Sequence, residues 1–127
     1  MLKAFEVTRE QAQAGGIEVA VFRVEGYLDA HTAPRLEEAL REAVADGCRH
    51  MVVECTRLDY ISSAGLGVLI ETHRAVRGRH GELKLAGMSQ DIADIFDILG
   101  FSKVILPYPS LQEALEAFDG TLGESPP

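Results

Sequence analysis

Long apolar runs, basic residues and signs of export are all scarce in this 127-residue sequence. No run of about 18 apolar residues occurs, so no membrane-spanning helix is expected. The N-terminal stretch mixes polar and apolar residues and lacks the apolar core of a secretory signal. The 12 Lys and Arg residues against 20 Asp and Glu give a formal charge of −8, which repels nucleic-acid phosphates. We therefore expect a cytoplasmic protein that binds neither membranes nor nucleic acids.

Metal ligands and disulfide partners are equally sparse. The two cysteines, Cys48 and Cys55, do not have the CxxC spacing of a zinc or redox site. The four histidines are scattered and form no HExxH motif. Two reduced thiols in the core of an intracellular protein are the simplest interpretation. We expect neither a metal site nor a cofactor.

The first part of the chain predicts a β-hairpin. Residues 2–8 indicate a strand, the Gly-containing segment 11–16 a turn, and the β-branched segment 17–24 a second, antiparallel strand. Further short strands are predicted at Met51–Cys55, Leu83–Ala86 and Val104–Leu106.

Helices are predicted between these strands. The first has Thr32 as a plausible cap and Pro34 in its first turn, and Gly47 ends it. The second covers Ser62–Arg77, and Ser110 can cap the last one. The third is predicted from an apolar stripe of Ile92, Ile95, Phe96 and Leu99.

The order β-β-α-β-α-β-α-β-α predicts an α/β fold with a mixed, mostly parallel sheet, an opening antiparallel hairpin and about four helices. With 46% hydrophobic and 25% charged residues, the composition is that of one globular domain. We expect a single domain over residues 1–118. Residues 119–127, which contain Gly, Ser and two terminal prolines, are predicted to form a flexible tail.

The most informative segment is the one where Ser62 and Ser63 come between a buried strand and a helix. Free N–H groups and the positive end of the helix dipole favour an anion there, so a phosphate on either serine would be stabilised. A plain helix cap explains the same residues without any further function. Spacing alone leaves both interpretations open.

Two catalytic motifs fit this segment poorly. A P-loop needs a Gly-Lys-Ser/Thr ending, and the segment has no lysine. A nucleophile elbow centred on Ser63 needs glycine where Ile61 stands. A hydrolase using Ser63 stays open as an alternative, but it would need a histidine such as His31 or His73 beside that serine.

Three motifs stand out in the sequence: Gly26–Ala30 with Thr32–Pro34, then Tyr60–Gly67, then Leu83–Gly87 with Ile95–Phe96 and Leu99–Phe101. On these motifs the sequence resembles the STAS-domain proteins of the anti-sigma factor antagonist family, over roughly residues 3–118. The second motif matches the strand-to-helix loop that holds the family's regulatory serine.

The resemblance implies a STAS fold and a switch protein without catalysis of its own. In this family the unmodified form binds an anti-sigma factor, often a serine kinase. Phosphorylation of the loop serine releases it, and a metal-dependent serine phosphatase resets the cycle. The positions that the resemblance assigns to the partner surface are Asp29, Thr32, Ser62, Ala64, Gly65 and Leu66.

Some of these positions have a second interpretation. Asp29 can cap the first helix together with Thr32, and Leu66 can belong to the core instead of contacting a partner. His73 lies on the same helix face as Leu66 and is expected to be packed and neutral.

The loop departs from the family's usual Asp-Ser-Ser-Gly-Leu-Gly at the serine itself. Aligned on Gly65, the usually modified position is Ala64, which cannot accept phosphate. We predict Ser63 as the phosphorylated residue, with Ser62 as the alternative. A constitutive STAS scaffold or binding module that is never phosphorylated is the other interpretation.

Overall fold

A computed structural model describes residues 4–118 of the chain. The start of the predicted first strand and the predicted tail at 119–127 lie outside the described residues. The elements are β1 (Glu6–Ala14), β2 (Ile17–Leu28), α1 (Ala33–Ala45), β3 (His50–Ile61), α2 (Ser63–Arg77), β4 (Glu82–Ala86), α3 (Gln90–Ile98), a 3₁₀ turn (Phe101–Lys103), β5 (Pro107–Tyr108) and α4 (Leu111–Glu116).

One five-stranded sheet in the order β1-β2-β3-β4-β5 organises these elements. β1 is antiparallel to β2, and all the other neighbouring strands are parallel. This confirms the predicted mixed, mostly parallel sheet with its opening hairpin and four helices. The two edges differ. β1 is nine residues long and mostly exposed, whereas β5 has only the two residues Pro107 and Tyr108.

The strands of the hairpin extend beyond their predicted ends: β1 ends at Ala14 instead of at residue 8, and β2 ends at Leu28 instead of at residue 24. Residues 11–14 belong to β1, where the sequence analysis placed a turn, and Ala14 pairs with Ile17. The turn is only Gly15 and Gly16, with φ values of 58° and 88°. Positive φ at both positions is the requirement of a type I′ hairpin turn, and glycine adopts it at little cost. The alternating polar residues of 11–14 are typical of a solvent-exposed edge strand. Their polarity is also typical of a turn, which is why the predicted strand was too short.

The sheet separates two hydrophobic cores because successive side chains of a strand point to opposite faces. The larger core packs α1, α2 and α3 against one face, with Phe22, Leu36 and Leu83 fully buried in it. The smaller core packs α4 against the other face, around Val52 and Phe118. None of the helices found in residues 4–118 combines the length and the apolar character that a bilayer crossing requires.

One prediction about the C-terminal third is wrong. The last strand is Pro107–Tyr108, not Val104–Leu106, because the chain first makes a 3₁₀ turn at Phe101–Lys103 and, of the predicted strand, only Ile105 reaches the core. The predicted third helix is present as α3: Ile92 and Phe96 of its apolar stripe are buried, whereas Ile95 and the C-cap residue Leu99 are exposed. The apolar arc is therefore wider than the buried face of the helix.

His73 is packed, as predicted, on the buried face of α2. Its Nδ1 accepts a hydrogen bond of 3.3 Å from the Leu83 N–H, and burial lowers its pKa. Both cysteines are free. Burial raises the pKa of Cys55 to about 12, so this thiol is inert. Cys48 is only half-buried and accepts a hydrogen bond from Arg9, so the prediction of two core thiols is right for Cys55 alone.

Candidate functional site

The carboxyl ends of β2 and β3 bring two loops of the predicted site together. The strands are parallel neighbours, and Leu28 lies in register with Ile61 at their last pair. The Ser62 N–H donates a hydrogen bond of 2.9 Å to the Leu28 carbonyl just beyond that pair. The loop after β2, which contains Asp29 and Thr32, is therefore held directly against the start of α2.

The loop after β2 is fastened by its own side chains. Asp29 Oδ1 accepts hydrogen bonds from the N–H groups of His31 and Thr32, at 2.9 and 3.1 Å. Thr32 Oγ1 accepts from the Asp29 N–H at 2.8 Å and donates to the Tyr27 carbonyl at 2.7 Å. The hydrogen bond from the Thr32 N–H is the largest of the interactions that lower the pKa of Asp29. The loop is closed on itself by four short contacts.

This geometry corrects the predicted capping of α1. Thr32 occupies the N-cap position, but its side chain makes no cap hydrogen bond to the helix. Its φ of −99° and ψ of −20° are helical, whereas a capping side chain works from an extended backbone. The hydroxyl is already engaged by the strand end. Asp29 likewise binds N–H groups that precede the first helical residue, so it closes the loop and leaves the first turn of α1 uncapped by side chains.

The loop before α2 is built differently. Ser62 is the N-cap, with an extended backbone, and its side chain accepts a hydrogen bond from the Gly65 N–H at 3.4 Å. Ser63 and Ala64 follow as the first helical residues, and both are exposed. The two candidate serines are thus distinguished: Ser62 is half-buried and caps the helix, whereas the Ser63 hydroxyl points to no hydrogen-bond partner within residues 4–118.

Gly65 and Leu66 hold this loop from the inside. A β-carbon at position 65 would lie 2.7 Å from Leu28 Cγ, which is closer than β-carbons approach other atoms, and a tight 3.1 Å from Ile61 Cγ1. Only glycine lets α2 begin this near the end of β2. Leu66 is 4% exposed and packs in the larger core, so the second of its two interpretations is the one found. Both residues position the loop, and their predicted place in a partner surface stays a prediction.

The site also contains two residues that the sequence analysis did not assign to it. Tyr27 and Tyr60 are the second-last residues of β2 and β3, and their rings lie with centroids 5.7 Å apart in an exposed pair. A signal for them existed. Because Leu28 and Ile61 are core residues, strand alternation turns the preceding tyrosines outward.

The described residues do not bring a histidine ring to either serine. The His73 ring is bound to the Leu83 N–H under α2, and the contact of His31 with the site is made by its main-chain N–H. Within residues 4–118, no hydrogen bond joins a histidine ring to Ser62 or Ser63. The arrangement displays a hydroxyl at a helix N-terminus, where the dipole favours an anion, and supplies no base to activate it.

Comparison with known proteins agrees with this arrangement. The STAS domain model matches residues 8–114 of the chain. BtrV of Bordetella bronchiseptica, described as a candidate anti-sigma factor antagonist, is 34% identical over 99 residues, which are 78% of this chain and 85% of BtrV. The anti-sigma-B factor antagonist of Listeria monocytogenes is 35% identical over 82 residues, covering 65% of this chain and 72% of that protein.

The fold comparison gives the same result. The crystal structure of an anti-sigma factor antagonist from Mycobacterium paratuberculosis superposes with a TM-score of 0.75 and 28% sequence identity. The match covers 88% of this chain and 93% of that one.

Proposed function

Because the chain belongs to the STAS-domain proteins of the anti-sigma factor antagonist family, we propose that it is itself an anti-sigma factor antagonist that works by partner switching. In its unmodified form it binds an anti-sigma factor that is also a serine kinase. Phosphorylation of Ser63 by that kinase ends the complex, and a metal-dependent serine phosphatase restores the binding form. The protein itself performs no catalysis.

The observation that supports this proposal is the exposure of Ser63 at the start of α2. Its neighbour Ser62 caps the helix, so a phosphate on Ser63 leaves the cap in place. The free N–H groups of the first helical turn and the helix dipole would stabilise that phosphate. No acidic residue stands in the first turn of α2 to oppose it. For these reasons we choose Ser63 over the alternative, Ser62.

The switch follows from charge. Phosphorylation adds about −1.5 to −2 charges to a surface that a partner has fitted to a neutral hydroxyl. The partner must desolvate a dianion or withdraw. A penalty of about 3 kcal/mol weakens binding more than a hundredfold. Hydrogen bonds of Asp29 and Thr32 close the neighbouring loop, which offers the partner a surface of fixed shape beside Ser63.

The test is phosphosite mapping combined with affinity measurement. The protein is incubated with ATP and the serine kinase encoded nearest to its gene, and the intact mass is measured. We expect a gain of one phosphate, about 80 Da, that fragment spectra place on Ser63. Ser63→Asp is expected to weaken binding to the kinase about a hundredfold. Ser63→Ala is expected to retain the wild-type affinity.

Ser89→Asp is the matched control, because Ser89 is also exposed at a helix N-terminus and caps α3 through the Ile92 N–H. It adds the same charge at another helix, so it is expected to leave binding unchanged. Equal affinities for Ser63→Asp and Ser63→Ala would contradict the switch.

A constitutive scaffold or binding module is the second candidate, and the observation that favours it is Ala64. That residue stands where the family usually carries the modified serine, and it is exposed. Tight binding of the kinase without any gain of mass would identify this function.

A further inference from the structure

The most unusual surface feature beside the site is the pair Tyr27 and Tyr60. Their side chains are 40% and 46% exposed, although tyrosine rings in a folded domain are commonly packed or hydrogen-bonded. Their ring planes are tilted by 31° and their centroids are 5.7 Å apart. Neither hydroxyl makes a hydrogen bond within the described part of the chain. A single apolar surface is thus left open to solvent.

The position of the pair connects it to the site loops. Tyr27 is paired in register with Tyr60, at the strand ends that lead directly into the loops of Asp29 and Ser62. The Tyr27 carbonyl accepts the hydrogen bond from Thr32 Oγ1. The next residues of both strands, Leu28 and Ile61, turn into the core beneath α2. The rings therefore lie at the same carboxyl ends of the strands as the site loops, on the face of the sheet opposite α2.

The pair is held in place before any partner arrives. Both rings stand on paired strands and contact each other, so little side-chain freedom remains to be lost on binding. Polar side chains border it: Arg57 and Glu25 form an ion pair at 3.4 Å, and Asp59 is exposed. An apolar centre with a polar rim is the usual anatomy of a protein interface, and tyrosine is one of the residues enriched at its strongest contacts.

We propose that Tyr27 and Tyr60 are the anchor of the surface that binds the anti-sigma factor. This inference rests on the proposed function and adds the residues that supply affinity, whereas Ser63 supplies regulation. A partner that covers the carboxyl edge of the sheet meets the site loops on one side and the two rings on the other. The partner's face must offer an apolar groove that accepts both rings. A second copy of this chain is a poor occupant, because each copy carries a formal charge of −8.

The experiment measures the affinity of the purified full-length protein for the purified anti-sigma factor. Tyr27→Ala and Tyr60→Ala are each expected to weaken binding at least about tenfold, as for residues at the centre of an interface. Tyr27→Phe and Tyr60→Phe keep the rings and are expected to retain most of the affinity. Ile98→Ala is the matched control, because Ile98 is 81% exposed on α3 and lies outside the site loops. It is expected to bind like the wild type.

The outcomes separate this inference from the proposed function. If the alanine variants fold with wild-type unfolding midpoints and bind within about twofold of wild type, while Ser63→Asp still weakens binding, the anchor is refuted and the switch stands. If the wild type does not bind the anti-sigma factor, both are refuted. Sedimentation of the protein alone gives the last outcome. A wild-type dimer that becomes a monomer in the alanine variants would assign the pair to self-association and overturn the proposal.

Discussion

The two loops at the carboxyl edge of the sheet occupy equivalent places and are built in opposite ways. Each follows a parallel strand and begins a helix on the same face. The loop after β2 is closed by Asp29 and Thr32, whose side chains bind main-chain groups of the loop at 2.7 to 3.1 Å. The loop after β3 has one side-chain bond, from the Gly65 N–H to Ser62, at 3.4 Å.

The difference shows how two neighbouring loops can combine a fixed shape in one with an accessible hydroxyl in the other. Hydrogen bonds engage the Asp29 and Thr32 side chains of the first loop, so the loop has a fixed shape and the Thr32 hydroxyl is occupied. The second loop is positioned by packing, through Gly65 against Leu28, and its Ser63 hydroxyl stays exposed. Under the proposed switch, the serine that is phosphorylated makes no structural hydrogen bond, and neighbouring residues fix its position.

The largest expected effect comes from the packing that joins the two loops. Gly65→Ala places a methyl group 2.7 Å from Leu28 Cγ, so the start of α2 must shift. Overpacking of this kind costs about 1–3 kcal/mol of unfolding free energy. Urea unfolding measures it. Gly67→Ala is the matched control, because nothing lies within 4 Å of its β-carbon, and alanine in a helix is favoured over glycine by about 0.5–1 kcal/mol. Equal stabilities of the two variants would show that the strand end is loosely packed.

A smaller loss is expected when the first loop is opened. Thr32→Val keeps the shape of the side chain but removes the hydroxyl that donates to the Tyr27 carbonyl and accepts from the Asp29 N–H. Two hydrogen bonds at about 0.5–1.5 kcal/mol each predict a loss of about 1–2 kcal/mol in the same urea experiment. Thr8→Val on the exposed face of β1 serves as the control and should stay within about 0.5 kcal/mol of wild type. A Thr32→Val variant as stable as that control would remove the contrast between the loops.

The serines provide the next comparison. Ser62→Ala removes the cap of α2, and we expect a loss of about 0.5–1 kcal/mol, because its cap bond is long. Ser63→Ala is expected to change the unfolding free energy by less than about 0.5 kcal/mol. Thermal or urea unfolding of both variants decides the matter. A larger cost for Ser63→Ala than for Ser62→Ala would mean that Ser63 has a structural role.

The smallest effect is a dependence on pH at Asp29. Its folded pKa lies below the ordinary value of 3.8, chiefly because the carboxylate accepts a hydrogen bond from the Thr32 N–H. The stability that ionised Asp29 contributes is therefore present above pH 3.8 and is lost as the pH falls through the folded pKa. Unfolding measured between about pH 7 and about pH 3 should show the gap between wild type and Asp29→Ala closing in acid. Asp29→Asn keeps an acceptor oxygen but never ionises, so it identifies the part that depends on charge. A gap that stays constant with pH would contradict this assignment.

The sequence predicted the order of elements because hydrophobic periodicity is a local property. The helix predicted over Ser62–Arg77 is found at Ser63–Arg77, and the predicted cap at Ser110 is confirmed, since a cap needs only a serine and the next few residues. The two serines of the site could be identified, but not ranked by structural role. Their difference depends on the Leu28 carbonyl, which the fold brings to Ser62 from far away in the chain.

The errors arise where distant parts of the chain decide the outcome. β5 forms at Pro107–Tyr108 because that segment meets Leu85–Ala86 in register, which no local pattern reveals. Ile95 and Leu99 continue the apolar stripe of the third helix, yet both are exposed, because burial depends on which distant parts of the chain pack against the helix. Thr32 is a good capping residue by type, yet the end of β2 engages its hydroxyl first.

The edges of the sheet have a consequence for how this protein can associate. β5 offers only two residues, and Pro107 has no N–H to donate, so a further strand has almost nothing to pair with there. At the other edge, β1 carries Glu6, Arg9 and Glu10 on an exposed surface, and charges of this kind discourage strand addition. The sheet therefore resists growth at both ends. Fibrillar stacking and the capture of a partner's strand are disfavoured alike, so the proposed partner surface at the ends of the strands would act through its side chains.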